Sequence, residues 1–182
     1  MLAFPQGDVF GEWWISIGAG TLCAPGVSLS VGMPTEVLDR RADVVVSIGD
    51  RCFLGRGTSV VGRESIVIED DVTIAPGVYV TDHNHAYGDV TVPIGQQYPV
   101  AAPVRIGAGS WLGVGVVVLP GTTIGRHVTV AAGSVVRGDV PDHSVVAGAP
   151  GRVVRQWSAA GGWDPPLPPT DAVVPSDWPT PS

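Results

Sequence analysis

Stepping by six from Ile106, the sequence meets Ile106, Leu112, Val118, Ile124, Val130 and Val136, an aliphatic residue each time. Gly or Ala follows at Gly107, Gly113, Gly125 and Ala131. Four places after each aliphatic stands a small or β-branched residue: Ser110, Val116, Thr122, Val128, Ser134 and Val140. The same step recurs upstream as Ile17, Cys23, Leu29, then Ile48, Leu54, Val60, then Ile68, Ile74, Val80, making 15 units in five sets of three. A helix would need apolar residues three and four apart. A six-residue unit instead reads as one short strand and one turn, with the leading aliphatic turned inward. One such strand buries too little to stand alone, whereas stacked coils share a continuous core. Five coils at the spacing of paired strands would rise about 24 Å.

Composition agrees with this reading. The 25 Gly and 17 Pro would suggest low complexity, but they accompany 45% hydrophobic residues that are mostly Val and Ile, the makings of many short strands. The formal charge of −7 comes without a basic stripe, so no nucleic-acid partner is expected. No apolar run reaches the length of a membrane span, and the first residues lack a basic segment followed by an apolar core. The expectation is a soluble cytoplasmic protein. Cys23 and Cys52 have no metal-type spacing and read as small buried side chains.

Two stretches break the period: residues 34–46 and, longer, 84–103. Each leaves a coil and returns in register, as a loop projecting from a corner would, and long loops in compact domains are often functional. The expected organisation is a solenoid domain over 1–157 and a Pro-rich tail over 158–182, extended or packed on a neighbour.

At the mouth of the longer loop stands Thr81-Asp82-His83-Asn84-His85. An imidazole there can take a proton from a hydroxyl attacking a thioester, and a neighbouring carboxylate can fix the ring's tautomer. Capping of a turn is the simpler role for such residues. His127 and His143 read as solvated turn residues. No Gly-x-Ser-x-Gly elbow or Walker-type loop is present, and neither Cys has a nearby activating partner.

These features carry a resemblance. Thr81-Asp-His83, Val104-Arg-Ile-Gly-Ala-Gly-Ser-Trp-Leu-Gly113, Ala131-Ala-Gly-Ser-Val-Val-Arg-Gly-Asp-Val-Pro141 and Val146-Ala-Gly-Ala-Pro-Gly-Arg-Val-Val-Arg155 resemble the hexapeptide-repeat O-acetyltransferases of galactoside, maltose and polysaccharide type, over roughly residues 15–157. The resemblance implies an all-β fold, a left-handed parallel β-helix of about five coils with one long protruding loop. It implies a homotrimer with active sites between subunits and acetyl-CoA as acyl donor, with no metal expected.

Residue by residue, it implies His83 as catalytic base, with Asp82, Asn84 and His85 supporting it or meeting the acceptor. Trp111, Val114 and Ala132 would border the cofactor channel, Arg137 and Gly138 would adjoin it, and Arg152 and Arg155 would meet CoA phosphates. Arginines suit phosphate charge on physical grounds as well. No counterpart of the N-terminal helical segment of the galactoside and maltose enzymes is expected from this sequence. Their sugar-contacting Asn and Asp fall near Phe53 and Val61 here. The acceptor implied is therefore a sugar or polysaccharide hydroxyl of the surface-glycan kind. Two alternatives stay open: a γ-type carbonic anhydrase-like Zn protein, for which His83 and His85 supply two ligands and nothing convincing the third, and a structural solenoid without activity.

Overall fold

The computed structural model describes residues 8–32 and 44–169, and the backbone of the strand Leu2–Ala3. The solenoid strands form three sheets, each running the length of a three-sided prism and built mainly of parallel pairs, and a fourth sheet of two strands lies at the base of the long loop. The first holds Ile15–Ile17, Val46–Ile48, Ile66–Ile68, Val104–Ile106, Thr123–Ile124 and Asp139–Val140. The second runs from Leu2–Ala3 through Leu22–Cys23, Phe53–Leu54, Thr73–Ile74, Trp111–Leu112 and Thr129–Val130 to Ser144–Ala147. The third holds Val9–Phe10, Ser28–Val31, Ser59–Gly62, Tyr79–Thr81, Val117–Val118 and Val135–Val136.

The residues that lead the six-residue units stack directly on one another, and Val140 and Val146 extend two of the ladders by one more coil. Ile17, Ile48, Ile68, Ile106, Ile124 and Val140 are successive partners in the first sheet. Cys23, Leu54, Ile74, Leu112, Val130 and Val146 follow one another in the second. Leu29, Val60, Val80, Val118 and Val136 do so in the third. Apart from Ile17, which is half-buried, these side chains are buried and line one continuous core. Burying a Val, Leu or Ile contributes about 1.5–3 kcal/mol. That offsets the ordering of a chain this rich in turns.

The residue four places after the leading aliphatic fills a corner from inside. Thr21, Cys52, Val72, Ser110, Val128 and Ser144 occupy successive coils of one edge, and all are buried. The hydroxyls of Thr21 and Ser110 satisfy main-chain groups that would otherwise be orphaned there. Thr21 Oγ1 accepts from Cys52 N–H at 3.0 Å, and Ser110 Oγ accepts from Val128 N–H at 3.0 Å while donating to Gly125 O at 3.0 Å. Carboxylates do the same from outside: Asp70 Oδ1 accepts from Asp50 N–H at 2.9 Å, and Asp142 Oδ1 from Arg126 N–H at 2.8 Å. Part of the acidic surplus is thus spent on closing corners. A Cβ on Gly49 would lie 2.4 Å from Asp70 Oδ1, so the carboxylate of one coil occupies the space that glycine leaves in the coil before it.

The long interruption leaves the third sheet after Thr81 and returns at Val104. At its base His83–Asn84 pairs antiparallel with Val100–Ala101, joining His83 to Ala101. One turn of 3-10 helix spans Ile94–Gln96. The side chain of Gln97 donates to the carbonyls of Asp89 and Val92 at 2.9 Å each, which ties the loop's middle to itself. The shorter interruption lies mostly in residues 33–43, outside the described residues.

Beyond Val146 the chain reverses. Arg152–Ser158 pairs antiparallel with Ser144–Ala147, and Gly162–Asp164 pairs antiparallel with Gln156–Ser158. The second sheet therefore runs past residue 157, where the sequence suggested an irregular tail. Gly162, at φ +72°, starts the returning strand on the far side of the turn. The hairpin covers an otherwise open sheet edge. Residues 170–182 of the Pro-rich stretch lie outside the described residues.

Candidate active site

The corner where the long loop leaves the solenoid concentrates the site. Asp82 directly follows the third-sheet strand Tyr79–Thr81, and its side chain is wholly buried. Its carboxylate is held by three consecutive main-chain N–H groups of the preceding coil. Arg63 N–H donates to both oxygens at 2.9 and 3.0 Å, and those of Glu64 and Ser65 donate to Oδ2 at 2.7 and 2.8 Å. The Asp82 carbonyl accepts from Ala102 N–H at 2.7 Å, fixing the residue to the loop's other limb. Burial alone would push this carboxyl up. The hydrogen bond to His83 and the three N–H donors outweigh burial and hold it below the ordinary carboxylate value.

His83 Nδ1 lies 3.0 Å from Asp82 Oδ1. An ionised carboxylate only accepts, so Nδ1 carries the proton and the lone pair sits on Nε2. The Asp82–His83 geometry thus selects the tautomer a general base needs. Thr81 adds a second fix: its Oγ1 accepts from His83 N–H at 3.3 Å and donates to the His83 carbonyl at 3.1 Å. The His83 side chain keeps 17% of its surface open, enough for one nitrogen to reach a ligand.

Next to this pair is a cavity of about 540 Å³. It is lined by Asn84 and His85 on one limb of the loop, Ala101 on the other, and Leu119, Pro120 and Arg137 from the coils. Of the residues singled out from sequence, Asn84, His85 and Arg137 therefore meet beside His83.

The others do not meet there. Val114 and Ala132 are exposed and adjacent on the edge between the second and third sheets, where Gly133 N–H donates to Val114 O at 2.8 Å. Trp111 stands outward on the second sheet, 44% exposed, between Thr73 and Thr129. Arg155 and Arg152 sit on the reversing strand opposite Val145 and Ala147. Gly138 follows Arg137 at φ +78°. Within one chain these residues occupy two edges of the prism.

Three features went unread in the sequence. The N–H cradle of Arg63–Ser65 lies 17–19 residues from Asp82 and carries no side-chain signature. The Arg63 guanidinium sits 4.7 Å from the centre of the Tyr98 ring. His127 and His143, expected as solvated turn residues, do occupy turns at φ +52° and +53°, but their rings stack with centroids 5.5 Å apart. Trp157 meets His143 edge-on at 5.5 Å. No three His, Cys, Asp or Glu come together as metal ligands among the described residues. Burial pushes the Cys52 thiol up, and its Sγ donates to Glu69 O at 3.1 Å, which suits packing and not nucleophilic attack.

Comparison with known proteins fits this geometry. The bacterial transferase hexapeptide (six repeats) family matches residues 103–138, and the hexapeptide repeat of succinyl-transferase matches residues 45–82. A probable acetyltransferase of Mycobacterium tuberculosis is 42% identical over 116 residues, 62% of this chain and 39% of that protein. The galactoside O-acetyltransferase of Escherichia coli is 34% identical over 145 residues, 80% of this chain and 65% of that protein. The chain thus spans between 39% and 65% of these relatives' lengths. Among solved structures, AntD, an N-acyltransferase from Bacillus cereus crystallised with dTDP and 3-hydroxybutyryl-CoA, superposes with a TM-score of 0.68 at 20% identity, over 82% of this chain and 76% of that one. The solenoid is of the left-handed β-helix type of such acyltransferases. The chain resembles the hexapeptide-repeat transferases over residues 45–82 and 103–138, and among them the O-acetyltransferases.

Proposed function

We propose that the chain transfers an acyl group, most simply acetyl, from acyl-CoA to a hydroxyl of a sugar or polysaccharide, with His83 as general base. The observation that carries this reading is the Asp82–His83 pair. A buried ionised carboxylate holds Nδ1–H, which leaves Nε2 as the acceptor, and the residues that follow, Asn84 and His85, line an open cavity. In the reaction Nε2 takes the proton of the acceptor hydroxyl as its oxygen attacks the thioester carbonyl. The carbon–sulfur bond then breaks, and the proton passes from Nε2 to the departing CoA thiolate. No covalent enzyme intermediate is needed.

Acyl-CoA as donor is supported by the relatives named acetyltransferases and by the acyl-CoA bound in the AntD structure. A carbohydrate acceptor is supported by the galactoside enzyme's name. The split of site residues over two edges supports a homotrimer. A second copy would bring the Val114–Ala132 edge of one chain against the His83–Arg137 edge of the next and form a groove for the donor. Arg152 and Arg155 would then meet the donor's phosphates. A cytoplasmic location suits a donor made inside the cell, and no helix of the described residues is long and apolar enough to span a membrane.

The test is thiol release from acetyl-CoA with a panel of mono-, oligo- and polysaccharide acceptors, comparing the native chain with His83→Ala. Loss of acceptor-dependent release in a variant that still folds and binds CoA supports the reading. Full transfer by that variant overturns it.

A further inference from the structure

Three sets of contacts pin the long loop, and the third reaches the body of the solenoid away from the loop's own base. The base pin is the pair of His83–Asn84 with Val100–Ala101, next to the tie from Ala102 N–H to Asp82 O. The middle pin is internal. Gln97 bridges Asp89 and Val92, and Asp89 Oδ1 accepts from Thr91 N–H at 2.8 Å and Thr91 Oγ1–H at 2.6 Å. The third pin is Tyr98, whose ring lies over the guanidinium of Arg63 at 4.7 Å. Arg63 is 6% exposed, while Tyr98 is 76% exposed. The cation belongs to the wall of the solenoid, and the ring is the movable part.

We propose that Tyr98 is a positioning residue for the acceptor. Docked on Arg63, it latches the loop so that Asn84, His85 and Tyr87 keep their places in the wall of the cavity beside His83. Two observations join at Arg63. Its main-chain N–H holds Asp82, which holds His83, while its side chain holds Tyr98. The loop's outer wall and the base are thereby registered to the same residue. Tyr98 two residues before the Val100–Ala101 strand controls the returning limb, and the cavity is built from both limbs. A ring over a guanidinium is directional yet worth little enough to open and close. Such a latch admits a bulky acceptor and then re-forms.

The kinetic arm of the test rests on the acyltransferase reading; the structural arm does not. Hydrogen exchange of the full chain, read by mass spectrometry on peptides covering residues 84–100, is compared for the native protein, Tyr98→Ala and Tyr98→Phe. Exchange should quicken in Tyr98→Ala and stay native in Tyr98→Phe, which keeps the ring. In the enzyme assay Tyr98→Ala should raise the acceptor KM by about three- to tenfold, with kcat and the acetyl-CoA KM unchanged, and Tyr98→Phe should restore it. Native exchange in Tyr98→Ala overturns the latch. Quickened exchange with an unchanged acceptor KM overturns the positioning role. If the native protein transfers to no acceptor, the acyltransferase reading fails, and the exchange comparison still decides the latch.

Discussion

Asp82 and His83 are neighbours in sequence, yet their side chains meet at 3.0 Å only because the carboxylate is turned inward onto the main chain of the coil below. Wholly buried Asp82 thus serves as an anchor, and His83 is the partly exposed group it aims. His83→Ala should lower acceptor-dependent thiol release by about 10²- to 10⁴-fold while leaving CoA binding intact. Asp82→Asn should lower kcat as well, since an amide no longer compels the Nδ1–H tautomer. Steady-state kinetics alongside calorimetric CoA titration check both.

The same anchor makes a stability prediction. A carboxyl held below its usual value in the folded state contributes stability that is present above the unfolded value, near pH 4, and lost as pH falls through the folded one. The gap in unfolding free energy between the native chain and Asp82→Asn should therefore be full at pH 7 and shrink below about pH 4. At pH 7 it should amount to about 1–3 kcal/mol, from N–H donors left poorly paired. Denaturant titrations at pH 7, 4 and 3 measure it, and a gap that widens in acid would contradict the anchoring role.

Much of this was legible from period alone. All 15 unit-leading residues fall on the three ladders, because a six-residue strand-and-turn leaves no freedom in which side chain faces inward. Val114 and Ala132 are 18 residues apart, one full coil, so their shared edge could be counted out; Arg137, five further on, falls on the next edge. The Arg63–Ser65 cradle could not be counted out. It consists of main-chain N–H groups, and which carboxylate they meet depends on where the loop leaves its coil. The hairpin over 152–164 was hidden for a different reason: antiparallel strands across an edge obey no six-residue rule, and the prolines that follow Asp164 read as the end of structure.

The corner packing can be tested by glycine substitutions that separate crowding from chain entropy. In Gly49→Ala the new Cβ would meet Asp70 Oδ1 at 2.4 Å and Asp70 N at 2.6 Å, and Oδ1 cannot retreat without losing its bond from Asp50 N–H. The expected cost is about 1–3 kcal/mol. Gly95 has nothing within 4 Å of its would-be Cβ and sits in the 3-10 turn of the loop, so Gly95→Ala should be neutral or slightly stabilising. Thermal unfolding of the two variants gives the comparison. Equal destabilisation would show that the Asp-over-Gly corner is not what holds adjacent coils in register.

At the far end, His143 lies between His127 and Trp157, and Trp157 N–H donates to His143 O at 2.9 Å. This column fastens the reversing strand Arg152–Ser158 to the last coil. His143→Ala should cost about 0.5–1.5 kcal/mol and quicken hydrogen exchange over 152–158 without affecting the central coils. Uniformly faster exchange throughout the solenoid would instead mean that the hairpin is part of the global fold.

That strand also carries the proposed phosphate contacts. Arg152 and Arg155 have no carboxylate within ion-pair distance among the described residues, whereas Arg51 is paired with Asp71 and Arg105 with Glu69. Arg152 spends one N–H on Gly151 O at 2.8 Å, which leaves the rest of its fork open. Two guanidiniums on one strand, both without a carboxylate partner among the described residues, suit the phosphate contacts proposed above. Arg152→Ala and Arg155→Ala should each raise the acetyl-CoA KM by about tenfold or more, the worth of a hydrogen bond to a charged group. With acetyl-pantetheine, which lacks the nucleotide phosphates, native and variant proteins should perform alike. If the arginine variants lose as much with acetyl-pantetheine as with acetyl-CoA, the arginines support the hairpin and do not bind the donor.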